Sequence, residues 1–130
     1  MMAIALPMDA LVVDDERVNR LVAGKMLAKL GFTVAEAEGG AAALDLLDKR
    51  RVSLVLLDIS MPGLSGEDVC RAIRERWGRE IKVVAYTAHS MPDEKKRFQE
   101  CGFDNLLVKP INIGRLVAAL AEIGIDCGSA

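Results

Sequence analysis

Five polar residues in this chain are of the types that together perform phosphoryl transfer. Each follows an apolar run typical of a buried strand: Asp14, Asp15, Asp58, Thr87 and Lys109. Three carboxylates gathered within about 4 Å of one another repel by several kcal/mol each at an effective dielectric of about 20, so such a site needs positive charge. Mg²⁺, or Mn²⁺ in its place, supplies that charge through oxygen ligands and is typical of sites that also bind phosphate.

Asp58 is the nucleophile in this interpretation. It ends the apolar run 54–57 and is followed by Met61-Pro62-Gly63, where the chain turns. Its carboxylate would attack phosphorus, while the metal ion and Lys109 neutralise the oxygens that gain charge and Thr87 offers a hydroxyl donor. Each residue alone also fits an ordinary role, such as a helix cap or a solvated charge. Their joint position at the ends of four strands favours a site.

Alternating sequence patterns predict five strands, each followed by a helix. The strands are expected at residues 10–13, 32–37, 54–57, 81–86 and 105–108, and the helices at 17–30, 41–49, 65–77, 93–100 and 113–123. This alternation implies an α/β fold, in which helices cover both faces of a parallel sheet. We predict the flavodoxin-like (βα)5 doubly wound sheet with strand order 2-1-3-4-5, whose carboxyl edge would bring the five polar residues to one crevice.

Local signals indicate where several helices begin and end. Asp15 is a candidate N-cap of the first helix, with Glu16 favoured by the helix dipole. Gly31 suits the position just after that helix. Ser65 and Asp68 have the spacing of a capping box at the start of the third helix.

The first predicted helix carries more apolar surface than one core-facing stripe needs. Its apolar positions cover an arc of roughly 240°, against about 100° for such a stripe. They are Val18, Leu21, Val22, Ala23, Met26, Leu27 and Leu30. Part of this surface is therefore expected to stay exposed, either as tolerated apolar side chains or as a docking face beside the acids, with Val18 and Val22 as the candidate contacts.

Length and composition limit the classes of protein. With 130 residues and 52% hydrophobic content, the chain is expected to form one domain with a packed core. A net charge of −2 argues against a nucleic-acid surface. Three distant cysteines, Cys70, Cys101 and Cys127, fit reduced thiols in a cytoplasmic protein. No apolar run approaches the roughly 20 residues of a membrane span, so no membrane contact is expected of this domain.

Five sequence motifs resemble the receiver domain of two-component response regulators. They are Val13-Asp14-Asp15 with Val18-Asn19-Arg20, Asp58-Ile59-Ser60-Met61-Pro62 with Gly66, Tyr86-Thr87-Ala88, Cys101-Gly102-Phe103-Asp104 and Lys109-Pro110-Ile111. The resemblance is to chemotaxis-regulator-like receivers, and most of all to those attached to hybrid sensor histidine kinases. It implies a receiver domain over residues 10–123, with residues 1–9 as a leader or an expression remnant and residues 124–130 as a C-terminal tail.

The resemblance also implies a role for each acid. Asp58 would accept a phosphoryl group from a phosphohistidine on a histidine kinase or a histidine-phosphotransfer protein. No enzymatic activity is implied beyond this self-catalysed acceptance and autodephosphorylation. Asp15, Asp58 and the backbone carbonyl of Ser60 would ligate Mg²⁺, with Asp14 acting mostly through water.

Two switch residues follow from the same resemblance. Lys109 would pair with the phosphoryl oxygens, and Thr87 would move to bond them, which biases a two-state element. Many receivers carry Tyr or Phe two or three residues before the lysine as a rotamer switch, but the segment 106–108 has no aromatic residue. A swing of Leu106, or coupling through backbone shifts, is the substitute hypothesis.

Two further positions border the phosphoryl group in the family and tune its hydrolysis. They are Ser60 and His89. His89 is the only histidine of the chain, and it equally fits a solvated loop residue. A monomer or a weak dimer is expected.

Three alternative functions stay open for comparison. A haloacid-dehalogenase-type phosphatase also forms an aspartyl phosphate with Mg²⁺, but it needs an acid two residues after the nucleophile, where this chain has Ser60, and usually a cap domain. A flavodoxin would bind FMN phosphate in the loop after the first strand, where Asp14, Asp15 and Glu16 would repel it. A degenerate receiver that acts as a scaffold without phosphorylation would have lost one of the five groups, and none is missing.

Overall fold

In the described part of the chain, five helices cover a five-stranded parallel sheet. The computed structural model describes residues 9–59, 61, 63–88 and 92–125, with side chains for all of these but residues 92–95. The strands are β1 (Asp9–Val13), β2 (Thr33–Ala37), β3 (Leu54–Asp58), β4 (Lys82–Thr87) and β5 (Asn105–Val108). The helices are α1 (Arg17–Lys29), α2 (Gly40–Lys49), α3 (Gly66–Trp77), α4 (Pro92–Cys101) and α5 (Ile113–Glu122). The strand order is β2-β1-β3-β4-β5 with every pairing parallel, which confirms the predicted flavodoxin-like fold.

Both faces of the sheet are buried because the strands carry apolar side chains on both sides. Successive side chains of a strand point to opposite faces. Helices α1 and α5 cover one face, where Leu27 and Leu120 are buried against the strands. Helices α2, α3 and α4 cover the other face, where Ile73 and Phe98 are buried. All five residues of β3 are buried, as expected of a central strand that lies between two helical layers.

Boundaries differ from the predicted ones by about a residue, and one predicted cap is wrong. β1 begins at Asp9 and β2 begins at Thr33, each one residue away from the prediction. Asp15 is not the N-cap of α1, because Glu16 occupies that position and its side chain makes no capping hydrogen bond. The buried Asp14 carboxylate accepts the Glu16 N–H at 2.9 Å, and Asp15 is left as an exposed side chain.

The structure confirms the predicted position of Gly31 and the Ser65 half of the predicted capping box. The Ser65 hydroxyl oxygen accepts the N–H of Asp68 at 3.2 Å and caps α3. Gly31 follows the C-cap of α1 with a φ of +102°, a conformation that costs glycine little.

Composition predicted reduced cysteines and no membrane span. Cys70 and Cys101 are free and buried, and burial raises the pKa of the Cys70 thiol to about 12. Cys127 lies outside the described residues. None of the helices in the described part of the chain is both long enough and apolar enough to cross a membrane.

A hydrogen-bonded turn positions β5 and therefore Lys109. Gly102 follows α4 with a φ of +103°, which favours glycine. Arg74 donates from Nε to the Gly102 carbonyl at 2.8 Å and pairs with Asp104 Oδ2 at 2.6 Å. The same carboxylate oxygen accepts the N–H of Val83 at 2.8 Å. The connection between α4 and β5 is thus tied to α3 and to β4.

Gly66 begins α3 where the chain returns against the end of β3. A Cβ atom at Gly66 would lie 2.6 Å from the carbonyl oxygen of Asp58 and 2.9 Å from Cα of Ile59. Both neighbours are backbone atoms, so they cannot yield as a flexible side chain would. Glycine is therefore the residue that lets α3 approach the backbone that carries Asp58.

We expect Gly66→Ala to lower the free energy of unfolding by about 1–3 kcal/mol, since the methyl group overpacks backbone atoms. Urea unfolding followed by circular dichroism measures this change. Gly114→Ala is the matched control in the first turn of α5, because the nearest atom to an added Cβ there is Asn112 Oδ1 at 3.4 Å. Alanine should be neutral at Gly114 or gain up to about 1 kcal/mol of helix propensity. Equal destabilisation by the two substitutions would contradict the close approach at Gly66.

Candidate functional site

The five polar residues lie together at the carboxyl edge of the sheet. Asp14 and Asp15 follow β1, Asp58 ends β3, Thr87 ends β4, and Lys109 follows β5. Parallel pairing sets Asp58 beside Tyr86 on β4 and Thr87 beside Val108 on β5. Because the neighbouring strands all run in one direction, their last residues meet at one crevice.

The three acids form a tight cluster, but they differ in how deeply they are buried. One carboxylate oxygen from each of Asp14, Asp15 and Asp58 lies within 4.8 Å of the others. Asp14 is 0% exposed and Asp58 is 3% exposed, whereas Asp15 is exposed. At an effective dielectric of about 20, charges at this separation repel by roughly 3 kcal/mol per pair, and less where solvent screens Asp15. The cluster therefore needs compensating positive charge.

Lys109 supplies part of that charge. Its Nζ lies 3.4 Å from Asp58 Oδ1 and 3.7 Å from Asp14 Oδ2. Its backbone N–H donates to the carbonyl of Thr87 at 2.7 Å, which ties the lysine to the end of β4. The Lys109–Pro110 peptide bond that follows is cis. Among the described residues, the crevice holds one ammonium group and three carboxylates, a formal excess of two negative charges.

Asp14 is held by donors on both carboxylate oxygens. Oδ1 accepts the Glu16 N–H at 2.9 Å, and Oδ2 accepts the hydroxyl of Tyr86. Burial acts to raise the pKa of Asp14, but the hydrogen bonds from Tyr86 and Glu16 and the charge of Lys109 outweigh it, so the pKa lies below its usual value. Asp14 is therefore ionised at neutral pH, although it is completely buried.

The donor set fits a hard divalent cation. Three clustered carboxylates offer oxygen ligands, which Mg²⁺ and Mn²⁺ prefer, and their uncompensated charge matches a divalent ion. Both oxygens of Asp14 already accept protein donors, the Glu16 N–H and the Tyr86 hydroxyl. Ser60, whose carbonyl was predicted as a further ligand, lies outside the described residues.

Two residues of the site were quoted in the predicted motifs without a role of their own. Tyr86 is 2% exposed, and its ring lies under the Lys109 ammonium with Nζ 4.5 Å from the ring centroid. Arg20 donates to the carbonyl of Asp14 at 2.8 Å and pairs with Glu36 at 3.2 Å. The only sequence signal for Tyr86 is its position, as the single tyrosine and the neighbour of Thr87.

The predicted switch, docking and tuning residues have different surroundings. Leu106 is half-buried on the face covered by α2, α3 and α4, beside Ala85 of β4. Val18 and Val22 are 68% and 43% exposed, so the described residues leave this part of α1 open. His89 lies outside the described residues.

Two cavities differ in their relation to the site. A cavity of about 360 Å³ borders it and is lined by Asn19, Val22, Tyr86, Lys109, Pro110 and Ile111. A larger one, of about 590 Å³, lies at the opposite edge of the sheet beside Val52 and Trp77, and its lining does not include Asp14, Asp15 or Asp58. Size alone therefore does not identify the chemical site, whereas the convergence of charged groups does.

Comparison with known proteins gives one family. The model of the response regulator receiver domain matches residues 10–121. The sensor protein GacS of Pseudomonas syringae pv. syringae is 39% identical over 116 residues, which are 86% of this chain and 13% of that protein. The aerobic respiration control sensor protein ArcB of Escherichia coli K12 is 36% identical over 117 residues, 88% of this chain and 15% of that protein. The chain thus spans about an eighth of the length of these relatives.

Solved structures with a similar fold point to the same family. Chemotaxis protein CheY4 of Vibrio cholerae superimposes with a TM-score of 0.83 at 27% identity, over 88% of this chain and 97% of that chain. Response regulator protein TrrA of Thermotoga maritima, solved in complex with Mg(2+)-BeF, superimposes with a TM-score of 0.79 at 31% identity, with the same two coverages. The match over nearly the whole domain and the shared fold show that this chain belongs to the family of response regulator receiver domains.

Proposed function

We propose that this receiver domain accepts a phosphoryl group on Asp58 from a phosphohistidine, and that the aspartyl phosphate changes the binding of a partner. The donor would be a histidine kinase or a histidine-phosphotransfer protein, in the cytoplasm. The observation that carries the proposal is the position of Asp58. It is a buried carboxylate at the end of the central strand, 3.4 Å from Lys109 Nζ and clustered with two further acids.

The transfer forms one bond and breaks one. A carboxylate oxygen of Asp58 attacks phosphorus, the bond from phosphorus to the donor imidazole nitrogen breaks, and its electron pair stays on that nitrogen. Lys109 carries a fixed positive charge to the oxygens that gain negative charge. Asp15, Asp58 and the Ser60 carbonyl would hold Mg²⁺ or Mn²⁺, with Asp14 acting through water, and the bound ion would supply electrostatic stabilisation of the same oxygens.

Receiver domains are generally not enzymes apart from this self-catalysed transfer. We expect the same of this chain, with autodephosphorylation as its only other reaction. Ser60 and His89 would lie beside the phosphoryl group and tune its lifetime on Asp58. A cap domain and the acid that a phosphatase places two residues after its nucleophile have no counterpart in the residues matched to the family, so no observation favours the phosphatase alternative.

The switch would act on the face covered by α2, α3 and α4. Thr87 follows Val83 and Ala85 by the two-residue period of a strand, so it shares their face, against which Leu106 also packs. Movement of the Thr87 hydroxyl toward a new phosphoryl group would vacate space beside Leu106. We propose that Leu106 re-packs into that space and so alters the surface formed by α4 and β5.

The donor would dock beside the acids on α1. Val18, Leu21 and Val22 are exposed, and Val22 also lines the cavity that reaches Lys109. An apolar helix face on the donor that carries the phosphohistidine would fit this surface, because it could cover the valines while its imidazole enters the crevice. We propose a monomer or a weak dimer that makes no contact with nucleic acid or membrane, with the domain spanning residues 10–123 between the segments 1–9 and 124–130.

Incubation with acetyl phosphate and Mg²⁺ is expected to add one phosphoryl group to the wild type and none to Asp58→Asn. Intact-mass spectrometry measures the gain, because Asp58 is the proposed acceptor. A gain that persists in Asp58→Asn would contradict the assignment. Absence of any gain, both with acetyl phosphate and with a phosphorylated histidine-phosphotransfer protein, would favour the scaffold alternative.

Mg²⁺ is expected to stabilise the wild type, since the ion relieves the repulsion among the acids in the folded state. At a free concentration about ten times its Kd, linkage gives about 1.4 kcal/mol, read from urea unfolding. NaCl of equal ionic strength is the control for general screening. Asp15→Asn should lose most of the Mg²⁺ effect, and equal stabilisation by NaCl and Mg²⁺ would contradict a specific site.

Val18→Asp or Val22→Asp is expected to slow transfer from the protein donor roughly ten-fold, the size of a moderate interface contact of about 1.4 kcal/mol. Labelling by acetyl phosphate should be unchanged, since neither side chain touches Asp58. Ala28→Asp, at an exposed position six residues beyond Val22 on α1, is the matched control for the added charge. Equal loss of both labelling reactions would contradict a docking role.

A further inference from the structure

One buried side chain, that of Tyr86, contacts two charged groups of the site. Tyr86 donates its hydroxyl to Asp14 Oδ2, and its ring faces Lys109 Nζ at 4.5 Å from the ring centroid. We propose that Tyr86 is a positioning residue, which holds the carboxylate of Asp14 in the orientation for metal binding and the ammonium of Lys109 in the orientation for phosphoryl transfer. This inference rests on the proposed function of the site.

The hydroxyl determines the plane of the Asp14 carboxylate. The Glu16 N–H holds Oδ1 at 2.9 Å, and one fixed oxygen still lets the group turn about its last bond. The Tyr86 hydroxyl holds the second oxygen, so both ends of the carboxylate are set. Hydrogen bonds to charged groups are the stronger ones, and Asp14 and Tyr86 are both buried, so water does not compete for either group.

The ring restrains the lysine. Lys109 Nζ lies between Asp14 and Asp58, at 3.7 Å and 3.4 Å, while its side chain is 25% exposed and has solvent as an alternative. The aromatic face below attracts the ammonium and favours the inward position. Tyr86 itself is held by the backbone, because its carbonyl accepts the N–H of Ile59 at 3.3 Å, the residue next to Asp58.

The two contacts make separable predictions because one belongs to the hydroxyl and the other to the ring. Residues that orient a metal ligand from behind typically change metal affinity by 10–100-fold when they are removed. Phenylalanine at position 86 would remove the hydroxyl and keep the ring. Leucine would remove both.

Isothermal titration calorimetry of Mg²⁺ measures the first contact directly. Tyr86→Phe is expected to weaken Mg²⁺ binding about 10-fold, with the rate of acetyl phosphate labelling at saturating Mg²⁺ within about two-fold of the wild type. Tyr86→Leu is expected to show the same weaker binding and, in addition, a rate at saturating Mg²⁺ that is about five-fold lower, the size of a partly desolvated cation–π contact. Wild-type Mg²⁺ affinity in Tyr86→Phe would overturn the inference.

Val84→Ala is the matched control for a purely structural effect. Val84 lies on the same strand and the same face as Tyr86, it is 0% exposed, and it belongs to the same buried cluster. The substitution should lower stability in urea and leave Mg²⁺ affinity unchanged. Weakening of Mg²⁺ binding by Val84→Ala as large as that by Tyr86→Phe would overturn a positioning role.

A measurement without substitution covers the case in which Tyr86→Phe does not fold. Tyr86 is the single tyrosine, so biosynthetic 3-fluorotyrosine gives one fluorine signal from this site. Mg²⁺ is expected to shift that signal with the half-saturation found by calorimetry, and a signal that does not move at saturation would overturn the inference. Absence of Mg²⁺ binding in the wild type is a different result, because it would overturn the proposed function and the inference with it.

Discussion

Electrostatic repulsion among three carboxylates is the constraint on which the rest of this structure depends. Asp14, Asp15 and Asp58 have oxygens within 4.8 Å of one another, and two of these acids are buried. Repulsion of roughly 3 kcal/mol per pair is large beside the 5–15 kcal/mol by which a typical domain is stable, so about two such pairs would offset much of that stability. The site therefore persists only because nearby donors and a rigid sheet hold it.

The donors and the sheet act at different distances. Lys109, the Glu16 N–H and the Tyr86 hydroxyl reach the buried acids directly. The apolar strands keep the edge in place, since β3 is buried along its whole length and the sheet is covered on both faces. The negative charge that these donors leave uncompensated would attract a divalent cation, so the same imbalance that opposes stability favours metal binding.

Tyr86, the aromatic residue next to Thr87, lies on a different face of the sheet from the aromatic residue that many receivers carry in the fifth strand. The family often places an aromatic ring in the fifth strand, where this chain has Leu106 on the face covered by α2, α3 and α4. Tyr86 lies on the other face, among the residues buried by α1 and α5. Its side chain contacts Asp14 and Lys109, so it is placed to hold these two groups for the proposed phosphoryl transfer. In the proposed function, signal output through the other face would depend on Thr87 and its aliphatic neighbour Leu106.

The sequence by itself determined the fold class, the strand order and the identity of the five polar groups. Those features follow from local patterns, because apolar periodicity sets each strand and helix, and parallel connections bring the strand ends to one edge. Only the tertiary structure decided that Asp14 is buried while Asp15 is exposed, and that Glu16 takes the cap position predicted for Asp15. It also decided that Tyr86 bonds to Asp14, 72 residues away. Such contacts depend on the distance and orientation of side chains that come from separate strands, and no local pattern encodes these.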